Sequence, residues 1–237
     1  MKNKRNPNIS FFLKVSIVFS FLILTCSAQA HRDDFIDETL VYETLEQGEI
    51  ELEYGFDYGD RPEPSDKFTR HIFAIEYGLS ERFMINGKLL VESGFDSALA
   101  EFRYRLFEEG EKPIDISFST EFEVESVEND SDEYEVEPRL ILSKDFEKLN
   151  FTLNLPLKIH FKSAPSEFIP AFALRYSWEE AFSIGTEVKY NTFKNEGSII
   201  PQVWFSLPEH MLLKLGYSQG FDQNSESFMR FFLEKEF

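Results

Sequence analysis

The chain has 237 residues, 28% of them charged and 42% hydrophobic, and carries a formal charge of −19. One Cys, 10 Pro and 11 Gly exclude a disulfide scaffold, a collagen-like repeat and a low-complexity disordered chain. The acidic balance argues against nucleic acid and anionic headgroups as partners, since both reward Lys and Arg. The 27 Phe demand an apolar environment of their own.

Residues 1–30 read as a cleaved signal peptide. Lys2, Lys4 and Arg5 form a basic start, Val15 to Leu24 is apolar, and Ala28-Gln29-Ala30 has the small-x-small cleavage pattern. The apolar run is about half of the roughly 20 residues that a spanning helix needs. Cys26 follows Thr25, where a lipoprotein signal would carry a smaller residue. Cleavage after Ala30 leaves no cysteine and a charge of about −23. Residues 31–47 are then expected to be an N-terminal periplasmic segment, with no plug domain, and residues 48–237 a single domain.

From Gly48 onward the recurring pattern is alternation with a period of two, broken by turn-forming clusters. The first segment places Ile50, Leu52, Tyr54, Phe56 and Tyr58 on one face and Glu49, Glu51, Glu53 and Asp57 on the other. Further segments follow near 69–79, 83–92, 98–107, 114–125, 133–142, 151–161, 168–178, 182–191, 199–207, 211–221 and 228–237, which gives about twelve strands.

Alternation alone leaves the facing open, because a soluble barrel buries its apolar face and a membrane barrel shows it to lipid. Several features favour lipid. Connections such as Ser80-Glu81-Arg82 and Pro208-Glu209-His210 are tight, while alternate ones are longer and polar. Phe151, Leu153, Leu155, Leu157, Ile159 and Phe161 place aromatics at both ends of an aliphatic band. Twelve strands enclose more space than apolar side chains fill, so the charged face belongs inside. Phe237 resembles the C-terminal aromatic signal read by the outer-membrane assembly machinery. The expected fold is an all-β, antiparallel, up-and-down transmembrane barrel, exported to the outer membrane and partnered by its lipid. A secreted sandwich or lipocalin-like binder is the soluble alternative; it would have to pack very many Phe inside.

Two stretches, Glu43-Thr44-Leu45-Glu46-Gln47-Gly48-Glu49-Ile50-Glu51-Leu52-Glu53 and Tyr77-Gly78-Leu79-Ser80-Glu81-Arg82-Phe83, resemble the small Gram-negative outer-membrane barrels of the MetA phenol-degradation pathway transporter type. The resemblance implies a channel or transporter and no catalytic residues.

The residues offer no Gly-x-Ser-x-Gly, no His-Glu-x-x-His and no phosphate loop, so no enzyme, metal or cofactor chemistry is expected. His71 is expected to face outward as an interfacial residue rather than a catalytic base. Inside, roughly 17 carboxylates face about 10 Lys and Arg, an excess that favours cations. Pairing across the 126–132 connection sets Glu121 near Glu137 and Glu123 near Glu135, like charges that need cationic company. Lys158 and His160 are expected to reach Glu135 and Glu133, and Arg139 to lie one inward step below Glu137. On the periplasmic side Arg105 is expected opposite Asp115, with Arg103 close by. These residues serve either as an ion-pair lattice that stiffens and closes the lumen, or as a cation or polar-solute site in its external half. The function expected is passive passage of small solutes; the alternatives are a structural or interaction barrel with a salt-bridged closed lumen and, behind it, an outer-membrane hydrolase.

Overall fold

The computed structural model describes residues 34–37, 39–61, 66–92, 96–126, 132–162, 165–179, 181–222 and 225–237. The signal-peptide reading of residues 1–30 lies outside them.

Alternating segments become strands because each residue turns its side chain to the face opposite its neighbour's. In chain order these are β1 (Ile50–Arg61), β2 (Asp66–Ser80), β3 (Phe83–Val91), β4 (Ser97–Arg105), β5 (Asp115–Glu125), β6 (Glu133–Phe146), β7 (Leu149–His160), β8 (Glu167–Phe168), β9 (Ala171–Glu179), β10 (Phe182–Asn191), β11 (Glu196–Leu207), β12 (Met211–Gly220) and β13 (Ser227–Glu236). All pairings are antiparallel between neighbours, and β1 pairs with β13 from Glu51↔Glu236 to Asp60↔Ser227, closing the sheet. Both β8 and β9 pair with β7. They are two pieces of one strand interrupted at Ile169-Pro170, where Pro170 has no N–H to give the ladder. The result is a closed twelve-strand antiparallel barrel.

The facing follows the charge. Along β2, Phe73, Ile75 and Tyr77 stand on the exposed outer face while Ile72, Ala74 and Glu76 are buried inside. Phe122 on the outside is 50% exposed, whereas the inward Glu101 and Arg103 are each 2% exposed. So broad an apolar exterior is incompatible with water and suited to hydrocarbon. Its rim at the tight-turn end is aromatic: Phe146 meets Phe151 at 5.7 Å and Phe182 meets Phe205 at 5.3 Å between ring centroids. His71 lies on this outer face, its Nδ1 3.0 Å from the Tyr54 hydroxyl.

Two features depart from the sequence reading. The connection over residues 106–114 sits at the tight-turn end yet is longer than any at the other end, so the length asymmetry is weaker than expected. It folds back on itself through Leu106 N–H to the Ile116 carbonyl (3.0 Å) and Gly110 N–H to Asp115 Oδ1 (3.0 Å).

The second departure concerns the N-terminal segment. The expectation of a periplasmic segment over 31–47, and of no plug, is corrected for residues 34–37 and 39–45, which lie inside the barrel. Phe35, Ile36, Leu40, Val41, Tyr42 and Leu45 are all buried there. Inward side chains of the wall complete three apolar clusters with them: Phe35 and Val41 with Ala173, Trp204 and Leu212; Ile36 with Ile72, Ile200 and Phe232; Leu40 and Tyr42 with Ile141. The segment leaves through a turn at Gly48, where Gly48 N–H bonds the Gly78 carbonyl (2.8 Å) and Gly78 N–H bonds the Glu49 carbonyl (3.0 Å). A Cβ on Gly78 would overlap the Glu46 carbonyl, so only glycine lets the chain pass here.

Candidate functional site: a segment-filled lumen below an acidic vestibule

The segment is held by wall side chains rather than by sheet pairing. Gln202 Oε1 accepts from Ile36 N–H (2.8 Å), Glu187 Oε2 from Thr39 N–H (2.6 Å) and Asn154 Oδ1 from Leu40 N–H (2.9 Å), while Asn154 Nδ2 donates to the Leu40 carbonyl (2.9 Å). Lys214 Nζ donates to the Asp34 carbonyl at 2.8 Å. Buried backbone polar groups are satisfied in this way without a ladder.

Its two aspartates meet cations. Asp34 takes a bidentate pair of bonds from Arg103, at 2.9 and 2.7 Å, and Asp37 pairs with Lys189 at 2.5 Å and with Arg230. Burial by itself pushes both carboxyls up. The neighbouring Arg103 at Asp34, and Lys189 with Arg230 at Asp37, outweigh it and hold both below the usual carboxylate range. Arg175 lies over the Phe35 and Trp204 rings, 5.4 and 5.5 Å from their centroids.

Above the segment, toward the loop end, lies a cavity of about 780 Å³ with Asp37 and Leu40 in its lining. Its lining holds ten carboxylates against seven Lys and Arg side chains. One wall is a ladder: β5 and β6 pair Glu121↔Glu137, Glu123↔Glu135 and Glu125↔Glu133. Arg139 lies between the first pair, 3.0 Å from Glu121 and 2.5 Å from Glu137; Lys158 lies between the second, 3.4 Å from Glu123 and 2.6 Å from Glu135. His160 Nδ1 is 2.6 Å from Glu135 Oε1, and its Nε2 is 3.3 Å from Glu167 Oε1.

The structure thus brings together Glu121, Glu123, Glu135, Glu137, Lys158, His160 and Arg139, the external group named from sequence. The second partners of Lys158 and His160 are Glu123 and Glu167 rather than Glu133. The periplasmic group is corrected. Register sets Arg105 across from Ser117, one inward step short of Asp115. Arg105 turns instead to the Glu81 carbonyl (2.6 Å) and Glu108 (3.1 Å). Arg103 is the hub of the buried segment, bonded also to Glu101 at 3.0 Å.

At the tight-turn end lies a small pocket of about 30 Å³, lined by Glu51, Glu53, Glu76 and Arg103 among others. Glu51, Glu53 and Glu234 present carboxylate oxygens within 4.8 Å of one another there, a donor set of the kind that could hold a divalent cation. Lys214 already pairs with Glu234. Sequence reasoning missed this group because closure alone sets β13 beside β1. It also missed the segment's seat, whose one signal was a set of apolar residues on the charged face: Ile72, Ile141, Ile200, Trp204 and Phe232.

Neither a protein-family model nor a curated protein sequence matches the chain. Solved structures do match its shape. An outer membrane channel from Pseudomonas putida F1 aligns with a TM-score of 0.62 at 12% identity, over 87% of this chain and all of that one. The KdgM porin aligns at 0.61 and 11% identity, over 79% and 99% of the two chains. The NanC porin aligns at 0.57 and 11%, over 78% and 98%. The chain has the fold of outer-membrane channel barrels. At such identities the likeness establishes the fold and leaves the transporter-family resemblance without further support.

Proposed function

We propose that the protein is an outer-membrane channel for small solutes, with a cation-preferring external half, and that residues 34–37 and 39–45 hold it closed. One observation carries this reading: the N-terminal segment in the middle of the barrel is held by wall side chains and is not part of the wall itself. A wide cavity with excess carboxylates lies directly above it. Rings of carboxylates select cations by replacing part of their hydration. The shared fold of the KdgM and NanC porins supports passage across the outer membrane.

A second reading is favoured by the same segment: a structural barrel closed for good by its salt bridges. Planar-bilayer conductance separates the two. The channel reading expects small or rare openings from the full protein and steady, cation-preferring conductance from a variant whose mature chain starts at Glu46. A silent truncated barrel that still shows heat-modifiable gel mobility, the mark of a closed sheet, supports the sealed barrel.

A further inference from the structure

The carboxylate ladder has three rungs, and two are filled by the protein's own cations. Arg139 occupies the Glu121–Glu137 rung and Lys158 the Glu123–Glu135 rung. On the third, Glu125↔Glu133, no salt bridge is seen among the described residues, and Lys158 and Lys194 act on Glu125 only from beyond contact distance. Glu133 Oε1 is buried and has no hydrogen-bond partner among the described residues. This rung faces the same cavity at its mouth.

A second, independent feature lies on the opposite wall. Ser198 and Ser218, 4% and 1% exposed, line the cavity, and each has a buried hydroxyl oxygen with no hydrogen-bond partner among the described residues. A buried hydroxyl left unpaired is costly, and it accepts readily from an ammonium group. Between the walls, Leu99, Ile169 and Phe193 add apolar surface to the lining. A hydrated metal ion has little use for such surface, whereas a methylene chain buries against it. The next rung down already holds Lys158, so the far ammonium of a methylene-linked polyamine would lie toward the Ser198 and Ser218 wall rather than on the ladder. A cavity of about 780 Å³ is ample for such a molecule.

We propose that the vestibule is a binding site for a linear organic polyamine, one ammonium seated between Glu125 and Glu133 as Arg139 and Lys158 are seated on the rungs below. The proposal rests on the cation-preferring vestibule of the function proposed above and names the class of solute it holds. The third rung differs from the others in that its cation comes from outside.

Titration calorimetry of the full refolded barrel in detergent micelles at low salt, with spermidine as the probe, tests it. Saturable binding of one spermidine is expected, weakened about tenfold or more by E125Q/E133Q and severalfold by S198A/S218A. Magnesium chloride at equal concentration should displace little of the bound spermidine. Absence of saturable binding, binding indifferent to E125Q/E133Q, or equal displacement by Mg²⁺ overturns the proposal, the last because it reduces the ladder to a screened acidic surface. Should E125Q/E133Q lose heat-modifiable mobility, the Mg²⁺ competition on the native barrel decides alone. Spermidine binding without any current from the truncated barrel leaves the site standing and refutes the channel; a cation-preferring current with no spermidine binding does the reverse.

Discussion

Phe35→Ala with Ile36→Ala is the sharpest perturbation of the closed lumen, because it removes apolar contact from the segment without touching the wall. Phe35 packs edge-on against Trp204, 5.6 Å between centroids, and is 4% exposed; Ile36 is 2% exposed among Ile72, Ile200 and Phe232. Gly216 lets it close in, since a Cβ there would lie 3.1 Å from Ile36 Cγ2. Burying Phe and Ile side chains stabilises by about 1.5–3 kcal/mol each, and the unfilled space left behind adds to the loss. A combined loss of about 5 kcal/mol shifts the docked-to-released equilibrium more than a thousandfold. Ordering the segment costs roughly 1–2 kcal/mol per residue, so little reserve remains to absorb the change. Two assays read the outcome: open probability in planar bilayers should rise steeply, and the segment should become a protease target while the barrel stays resistant. Leu52→Ala, on the lipid-facing side of β1, should alter neither. Unchanged openings and unchanged protection in the double variant would refute the assignment of Phe35 and Ile36 as the seal.

The segment should also loosen in acid. Ion pairing holds the Asp34 and Asp37 carboxyls below the ordinary range, so their contribution is present above about pH 4, the pKa of a free Asp, and is lost as pH falls through their own lower values; proteolysis of the segment in a detergent-solubilised barrel should increase from pH 4 downward, and a flat profile would remove the aspartates from the latch. Replacing Glu121, Glu123, Glu135 and Glu137 together with Gln should reduce cation preference in reversal potentials of the truncated barrel, most clearly at low salt, because the Debye length shrinks to about 3 Å at 1 M; selectivity that ignores the change would take the ladder out of the conduction path. Deleting Phe237 should lower assembled yield more than Glu236→Gln, because it takes away an aromatic, 66% exposed, together with the Phe237 N–H bond to the Ile50 carbonyl (2.8 Å) that helps close the barrel; equal yields would mean that the last residue carries no assembly information.

Much of the architecture was legible because its determinants are local. The period of two assigns a face to each side chain from its neighbours alone, and a short antiparallel connection nearly fixes the register across it. The expected opposition of Glu121 with Glu137 and Glu123 with Glu135 follows from the 126–132 connection in this way. Arg105 shows where that logic thins. The long 106–114 connection lets the pairing settle one inward step away from Asp115, and a nearer Glu108 takes the guanidinium.

The sequence by itself determined the strands and their two faces, since each depends on residues near one another in the chain. Only the tertiary structure decided that the segment of residues 34–37 and 39–45 occupies the lumen. Its bonds reach Arg103, Asn154, Gln202 and Arg230, from 69 to 194 residues away, and each strand contributes a single side chain that looks like ordinary inward polarity when read alone. The apolar exceptions Ile72, Ile200 and Phe232 likewise lie on separate strands and form one surface only when the sheet closes. Period two says which way a side chain points, and barrel closure says what it points at.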